Sequence, residues 1–216
     1  MTYKAVIFDW DGTLVDSAHH IADSLLHAAT QAGLPAREPE EYRNIIGLGI
    51  LEALNSLYPG ISNSTMLALR DGYSRHFMAT ADQANRLFEG MQPLLDALGD
   101  NETIRAVATG KSRRGLQRAL DGCRLTEAFH VTRCADETRS KPDPAMLREI
   151  LAFCGLQSHE AVMIGDTSYD MEMAQRIGMP AIGVTWGVHD ADRLRAHEPL
   201  AIAEAVPELR EHLLAG

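Results

Sequence analysis

The sequence predicts an α/β protein: a parallel sheet flanked by helices, interrupted early by an all-helical insert. From about Phe88 onward, short apolar runs alternate with helical patterns, and such alternation implies a parallel sheet with right-handed crossovers. One more apolar run, Ala5 to Phe8, precedes a stretch in which every apolar pattern is helical. We therefore expect a core domain of residues 1–16 and 86–216 and a helical domain of residues 17–85.

The first strand leads into two closely spaced acids. Ala5 to Phe8 is too short for a helix and rich in β-branched and aromatic side chains, which is typical of a strand buried on both faces. The residues DWDGT follow it, with Asp9 and Asp11 two positions apart. Their charges repel, so a cation such as Mg2+, which takes carboxylate and phosphate oxygens, is the usual partner. Gly12 permits an unusual φ, and Thr13 offers a hydroxyl and an N–H to an anion.

Four helices are predicted in the insert, from apolar residues at spacings of three and four. The first follows Ser17, the second begins near Glu38, and the third is 50–57. We expect Asn63 or Ser64 to cap the fourth. The loop Gly47-Leu48-Gly49 either reaches a functional site or is a plain turn. The apolar stripes of the first and fourth helices are Ile21, Leu25, Ala28 and Ala32, and Met66, Leu69, Tyr73 and Phe77.

Beyond the insert, helices and strands alternate. Gly99 is expected to end the first helix. We assign the tail from His189 only to closing the fold. The expected helices are 92–98, 112–120, 144–154, 168–177 and 207–214, and the expected strands are 104–108, 128–132, 161–164, 180–184 and 201–205.

Composition narrows the classes of protein and of partner. A formal net charge of −10 and a pI near 5.3 argue against nonspecific nucleic-acid binding, which needs a basic surface. We expect no targeting segment before the first strand, and no apolar run approaches the roughly 20 residues of a membrane helix. Cys123, Cys134 and Cys154 show no C-x-x-C spacing, which suits a reducing compartment. We expect a cytoplasmic protein and no membrane partner.

Two further strand ends carry polar residues suited to phosphate and metal, since ligands bind at the carboxyl ends of parallel strands. Thr109 and Gly110 end one strand and offer a hydroxyl and an N–H to a phosphoryl oxygen. Asp166 ends another, and Asp170 follows on the same side of a helix start. Three cations begin the helix after Thr109: Lys111, Arg113 and Arg114. They either act on substrate charge or form a solvated helix start, and we favour the solvated helix start.

Lys141 lies in the segment SKPDPAML, just before a predicted helix. Pro142 favours an extended Lys141. Asp143 is a natural N-cap, and Pro144 is a natural first helical residue. The lysine is therefore held on a stiff segment near the strand ends.

Together these segments resemble the four signatures of the haloacid dehalogenase-like (HAD) phosphohydrolase superfamily. DWDGTLVDS resembles its DxDGTLxDS pattern, Thr109 its Ser or Thr at a strand end, KPDP its lysine segment and GDTSYDMEMAQRIGM its last signature. The insert resembles the cap of the phosphoglycolate phosphatase-like branch. The resemblance covers nearly the whole chain and implies a HAD-like Rossmannoid core with an α-helical cap.

The resemblance implies a mechanism and its residues. Asp9 would be the nucleophile that takes the phosphoryl group, and Asp11 the general acid and base. Lys141 would offset negative charge. Mg2+ would be held by Asp9, the backbone carbonyl of Asp11 and Asp166, with Asp170 holding a metal-bound water or orienting Lys141. The phosphoryl group would be bound by Gly12, Thr13, Thr109, Gly110 and Lys141.

The activity implied is hydrolysis of a small phosphorylated metabolite, phosphoglycolate-like or other. Asp11 favours phosphate chemistry over dehalogenation, because a halide leaves without protonation. A sugar-phosphate mutase of the β-phosphoglucomutase type grips a second phosphate through an arginine-rich cap loop, and this loop has no arginine after Gly47. Nucleoside monophosphates, sugar phosphates and pyrophosphate stay open as substrates, and a binding module without activity is not supported. The sequence leaves the oligomeric state open.

Overall fold

The computed structural model describes residues 3–80 and 86–214. Its six-stranded sheet has the order β3-β2-β1-β4-β5-β6, and every pairing is parallel. β1 is central, with Phe8 in register with Val107 of β2 and Ile164 of β4. The ends of these three strands therefore meet at one edge. The strands are β1 Ala5–Phe8, β2 Ile104–Thr109, β3 Val131–Cys134, β4 Ala161–Gly165, β5 Ala181–Val184 and β6 Ala201–Ala203.

Helices flank both faces of the sheet and form the insert after β1. A short 3-10 helix, Ser158–Glu160, leads into β4. The α-helices are α1 Ala18–Gln31, α2 Pro39–Asn44, α3 Ile50–Leu57, α4 Asn63–Ala79, α5 Met91–Asp100, α6 Arg113–Cys123, α7 Ala145–Cys154, α8 Ser168–Gln175, α9 Ala191–Arg195 and α10 Val206–Leu214.

The sheet is buried on both faces, as the unbroken apolar runs predicted. Successive side chains of a strand point to opposite faces. Phe8 accordingly lies in an apolar layer with residues of α5, α6 and α10, such as Leu95. Ile7 lies in a second layer with residues of α7 and α8, such as Leu147. This is the predicted α/β core.

Helices α1 to α4, here called the helical unit, have an apolar core of their own. Leu25 of α1, Leu54 of α3 and Leu69 of α4 are buried together. Tyr42 and Tyr58 join α2 to the end of α3 through hydroxyls 2.8 Å apart. The upper boundary of the predicted helical domain, at residue 85, lies outside the described residues. Across the described part of the chain, the helices are too short or too polar to cross a bilayer.

Several expected boundaries are wrong. Ser62, not Asn63 or Ser64, caps α4, since its Oγ accepts the Thr65 N–H at 3.1 Å. β3 begins at Val131 rather than residue 128, because Phe129 packs into the apolar layer against Trp10 before the strand starts.

Gly99 does not end α5, which continues to Asp100. A side chain at Gly99 would meet the Arg105 guanidinium at 2.9 Å, and that guanidinium donates to the Leu95 carbonyl. Gly99 therefore leaves room for the guanidinium of Arg105.

Helix α7 begins one residue late and β6 is shorter than expected. Pro144 rather than Asp143 stands at the N-cap of α7, although the Asp143 carboxylate still accepts the Ala145 N–H at 3.0 Å. β6 ends at Ala203, two residues before the expected end, and α10 starts at Val206. The sequence patterns did not predict α9, which Asp190 caps by accepting the Arg193 N–H.

Candidate active site

Three aspartates and one lysine meet at the ends of β1 and β4. Asp9, Asp166 and Asp170 each have a carboxylate oxygen within 4.8 Å of the others. Lys141 Nζ lies 2.7 Å from Asp9 Oδ1 and 2.6 Å from Asp170 Oδ1. All four side chains are buried. The cluster therefore joins residues that are up to 161 positions apart, as the strand-end argument predicted.

Asp9 has one oxygen in use and one without a partner. Oδ1 accepts the Trp10 N–H at 2.6 Å as well as Lys141. Oδ2 is buried and makes no hydrogen bond to any described residue. Burial raises the pKa of Asp9 well above its ordinary value, and the neighbouring Asp170 and Asp166 add to this while Lys141 opposes it. The free oxygen is therefore costly to leave buried unless it meets a ligand.

The other two aspartates differ in how fully they are used. Asp170 accepts Lys141 on Oδ1, and the N–H and hydroxyl of Thr167 on Oδ2, at 3.2 and 2.6 Å. Asp166 has one partner on each oxygen. Burial first, and Asp170 second, raise the pKa of Asp166 to about 7. Asp170 thus positions Lys141, while Asp166 keeps lone pairs for a ligand.

Lys141 remains protonated although it is buried. Burial lowers its pKa, but the carboxylates of Asp170 and Asp9 more than offset that effect and raise it above the ordinary value. One positive charge faces three buried acids. The residues therefore fit a divalent cation, which binds carboxylate oxygens and would balance the remaining charge.

Gly12 has the unusual φ that its place in the sequence predicted. Its φ is +80°, and a Cβ there would lie 2.2 Å from Asp166 Oδ2. Only glycine allows this approach of the loop to the acid. Thr13 donates its hydroxyl to Asp166 Oδ1 at 2.8 Å. In this structure the Thr13 hydroxyl therefore positions Asp166, and its contact with an anion stays a prediction.

Asp11 points away from the cluster. Its Oδ1 accepts Ser17 Oγ at 2.6 Å and lies 2.9 Å from Lys111 Nζ. Lys111 also lies over the ring of Phe77 in α4, 4.9 Å from its centroid. The lysine side chain is only 11% exposed, so the interpretation of Lys111 as part of a solvated helix start is wrong. Lys111 instead links Asp11 to the helical unit.

The two arginines after Lys111 have different surroundings. Arg113 binds Glu137 and Thr132 at the edge of the core. Arg114 is exposed and lines a cavity between α6 and the helical unit. Arg113 is therefore held by the core, whereas Arg114 faces the space between the two parts of the chain.

Thr109 and Gly110 lie where the helical unit touches the core. Thr109 is fully buried at the end of β2, and its Oγ1 accepts the Lys111 N–H at 3.2 Å. A Cβ on Gly110 would lie 2.4 Å from the carbonyl oxygen of Leu48. Gly49 donates its N–H to Ser140 Oγ at 2.7 Å. The loop 47–49 is therefore not a plain turn, because it lies on the core at the edge of the site.

The sequence analysis missed the loop after β5. Val188 donates its N–H to Asp166 Oδ2 at 2.9 Å, and Trp186 donates its Nε1–H to the Thr13 carbonyl at 3.1 Å. A Cβ on Gly187 would lie 2.2 Å from the Asp166 carboxylate. The signal available was a glycine just past a strand, at the edge where ligands bind.

His189 also belongs to this loop, so the tail does more than close the fold. Its Nδ1 accepts the Ser168 N–H at 2.8 Å. Burial lowers the pKa of His189 to about 4, so the ring is neutral at pH 7. Neutral His189 therefore caps the start of α8, beside the acids.

Comparison with known proteins assigns the chain to a class of enzyme and to a family. The sequence pattern of haloacid dehalogenase-like hydrolases matches residues 6–184, a span that includes the whole cluster. The chain therefore belongs to that family, as its signatures predicted, and it is a phosphoric monoester hydrolase.

Individual relatives cover nearly the whole chain. Probable phosphatase IndB of Dickeya dadantii is 32% identical over 94% of this chain and 90% of its own length. A 5'-nucleotidase of Pseudomonas aeruginosa is 30% identical, with 99% and 96% covered. Phosphoglycolate phosphatases of other bacteria are 26% to 29% identical. The crystal structure of a predicted phosphatase from Clostridium acetobutylicum superposes with a TM-score of 0.89, at 26% identity and full coverage of both chains.

Proposed function

We propose that the protein is a Mg2+-dependent phosphatase that hydrolyses a small-molecule phosphate monoester through an aspartyl phosphate on Asp9. The observation that carries the proposal is the buried Oδ2 of Asp9, which has no partner among the described residues. Such an atom calls for a ligand or a reaction. The substrate is a small phosphorylated metabolite, in line with the names of the relatives, which include a 5'-nucleotidase and phosphoglycolate phosphatases.

The metal would be held by the carboxylates of Asp9 and Asp166 together with the backbone carbonyl of Asp11. Bound there, Mg2+ supplies positive charge that offsets the acids and the substrate phosphate. The raised pKa values of Asp9 and Asp166 support this assignment. They mean that Lys141 alone does not fully stabilise three ionised aspartates.

The reaction uses two aspartates in turn. Asp9 Oδ2 attacks phosphorus as the bond from phosphorus to the ester oxygen breaks, and Asp11 donates a proton to that oxygen, so an alcohol leaves. Asp11, now ionised, takes a proton from water as the water oxygen attacks phosphorus. Asp9 is released and inorganic phosphate forms. Lys141, Thr109 and the N–H of Gly110 hold the phosphoryl oxygens, and Gly12 and Thr13 complete the loop beside them.

We further propose that residues 17–85 form a cap domain over a core domain of residues 1–16 and 86–216. The separate apolar core of the helical unit supports this division. So does the loop 47–49, which lies against the strand ends. Such caps exclude water during the reaction. We place the protein in the cytoplasm on the evidence of its cysteine pattern, with a small phosphorylated molecule rather than nucleic acid or membrane as its partner.

A sugar-phosphate mutase is the second candidate, and one observation favours it. Arg114 and Arg118 of α6 both line the cavity between core and helical unit, where they are placed to bind a second phosphate. A mutase would convert a sugar phosphate into its isomer with little free phosphate. The ratio of isomer to inorganic phosphate in one reaction mixture separates the two activities.

The test is phosphate release from a panel that includes phosphoglycolate, nucleoside monophosphates, sugar phosphates and pyrophosphate, with Mg2+ and with EDTA. We expect release that requires Mg2+ and falls by at least about a thousandfold in Asp9→Asn. Asp192→Asn, which changes an exposed acid, is the control. In Asp11→Asn, mass spectrometry should find phosphate on the peptide that contains Asp9. Near wild-type turnover in Asp9→Asn would overturn the proposal.

A further inference from the structure

A cavity of about 250 Å3 lies between the helical unit and the core, next to the acid cluster. Asp11, Gly110 and Lys111 form its floor on the core side. In the proposed reaction Asp11 protonates the oxygen of the leaving group. Whatever is attached to that oxygen therefore faces this cavity.

The walls on the helical side are mostly apolar. They come from the loop 47–49, from the two residues before it, and from α1, α3 and α4. Among the described residues that line the cavity, Asp11 is the one acid. The main apolar side chains in these walls are Leu25, Ile45, Ile46, Leu48, Tyr73 and Phe77.

Two aromatic rings stand together at this wall. The rings of Tyr73 and Phe77 have centroids 5.7 Å apart and planes tilted by 38°. The ring of His20 packs against the ring of Phe77, with centroids 4.5 Å apart. Lys111 sits over the Phe77 ring on the core side. Tyr73 and Phe77 both line the cavity, so a ring that enters it meets aromatic side chains, a contact that favours aromatic groups beyond simple apolar burial.

The size and polarity of the cavity argue against a very small or very polar leaving group. Its volume corresponds to roughly eight waters at about 30 Å3 each, which is far more than the two carbons of a glycolyl group. A sugar would bring several hydroxyls, and each would need a hydrogen-bond partner to enter an apolar site without cost. The apolar side chains on the helical side supply few such partners, so hydroxyls that face this side would stay unpaired.

We infer that this cavity binds the leaving group of the substrate and that this leaving group carries an aromatic ring. The inference rests on the proposed phosphatase function and adds the class of substrate. The ring packs against Tyr73 and Phe77, and Arg114 and Arg118 lie at the same cavity, where they attract an anionic ester.

The test compares two esters that differ in the ring but release alkoxides of similar basicity: benzyl phosphate and ethyl phosphate. We expect kcat/KM for benzyl phosphate to exceed that for ethyl phosphate by about tenfold or more, and to exceed that for phosphoglycolate. Similar values for the two esters, or a preference for phosphoglycolate, would overturn the inference while the phosphatase proposal stands. No release from any ester would instead overturn the phosphatase proposal.

Two variants locate the effect in the cavity. Phe77→Ala removes the aromatic wall and should lower kcat/KM for benzyl phosphate about tenfold, with less than about a threefold change for ethyl phosphate. Ser74→Leu fills part of the cavity. It should also lower kcat/KM for benzyl phosphate more than for ethyl phosphate, without removing an aromatic ring. Phe153→Ala, on an exposed face of α7, is the control and should change neither value. A loss that is equal for both esters in both cavity variants contradicts the inference.

Binding without turnover gives an independent readout. Benzylphosphonate and ethylphosphonate carry the same phosphonate but cannot release an alcohol. We expect benzylphosphonate to raise the unfolding temperature more than ethylphosphonate, and Phe77→Ala to remove the difference. Equal shifts for the two compounds in the wild-type protein would count against a ring-binding cavity even if both are bound.

Discussion

Among single residues, Lys141 has the most direct part in keeping three buried aspartates together. Its ammonium contacts Asp9 and Asp170 at 2.7 and 2.6 Å, and its side chain is inaccessible to solvent. A buried ion pair contributes little net stability compared with an apolar pair, but removal of one partner leaves an uncompensated charge. Loss of Lys141 should therefore destabilise the protein by more than the small net contribution of a buried ion pair.

We predict that Lys141→Met lowers the free energy of unfolding by about 3–5 kcal/mol in EDTA, because the aspartates then repel one another without a counter-ion. Phosphate release should be lost as well. Urea unfolding measures the first effect. Lys4→Met is the matched control, since Lys4 pairs with Glu160 at the surface and such pairs contribute about 0–1 kcal/mol. Equal destabilisation by the two substitutions would contradict the prediction.

The raised pKa of Asp166 predicts how the stability of the metal-free protein depends on pH. The pKa is about 7 in the folded protein against an ordinary 3.8. Between these values the unfolded chain ionises Asp166 while the folded protein keeps the proton. Folding is therefore penalised as pH rises through this window, at about 1.4 kcal/mol per pKa unit.

Asp166→Asn removes this penalty. In EDTA, the free energy of unfolding of the variant minus that of wild type should increase from pH 5 to pH 8, by on the order of a few kcal/mol. Guanidinium unfolding at several pH values gives the difference, in which the contributions of titrating groups outside the acid cluster cancel. A difference that stays constant or decreases with pH would show that Asp166 ionises normally.

At the scale of elements, the contact of the loop 47–49 with the end of β2 joins the helical unit to the core. Gly110 allows this contact because a Cβ would lie 2.4 Å from the Leu48 carbonyl oxygen and 2.6 Å from that of Gly47. Both neighbours are backbone atoms, which cannot turn aside as a flexible side chain can. The close approach holds the edge of the proposed cap against Thr109.

We predict that Gly110→Ala displaces the loop 47–49 and raises KM for the substrate by about tenfold, since a misplacement near 1 Å costs much in a positioned site. Activity assays give KM. Gly72→Ala is the matched control: it lies inside α4, a Cβ there meets only an ordinary contact with Ala28 at 3.4 Å, and alanine favours a helix by about 1 kcal/mol. The prediction fails if Gly110→Ala leaves KM unchanged.

At the scale of the whole molecule, the described residues form three apolar clusters. Two lie on opposite faces of the sheet and share the strands, whereas the third lies within the helical unit. Residues of the sheet clusters come from both ends of the chain, because β1 is central and pairs with β2 and β4. The buried residues of the helical unit instead come from one segment of chain, so we expect this unit to open without the sheet.

This organisation predicts different effects of two core truncations in hydrogen exchange. Leu54→Ala in the helical unit should cost about 2–5 kcal/mol locally and speed exchange in α1 to α4, while β1 and β4 keep their protection. Leu95→Ala, in a layer beneath the sheet, should speed exchange in the strands as well. Identical exchange patterns in the two variants would contradict the proposed division into cap and core.

The sequence alone determined the features that depend on local pattern. β1 and α3 have the predicted bounds. The residues of the cluster lie together because parallel strands bring their carboxyl ends to one edge. Gly12 has the predicted positive φ. The family follows from four short signatures, each carried by consecutive residues. Periodicity, turn chemistry and signatures all act over a few positions, so they can be read without knowing the fold.

Only the tertiary structure decided which side chains meet across the chain. The pairing of Lys111 with Asp11 and Phe77 depends on how the helical unit sits on α6. The loop after β5 holds Asp166 through Val188, and a glycine past the strand marks the loop but not its partner. The cavity forms between the helical unit and α6, and the apolar stripe with Tyr73 and Phe77 does not by itself show that these rings face α6. Burial and long-range packing set these contacts, and they arise only when distant segments are brought together.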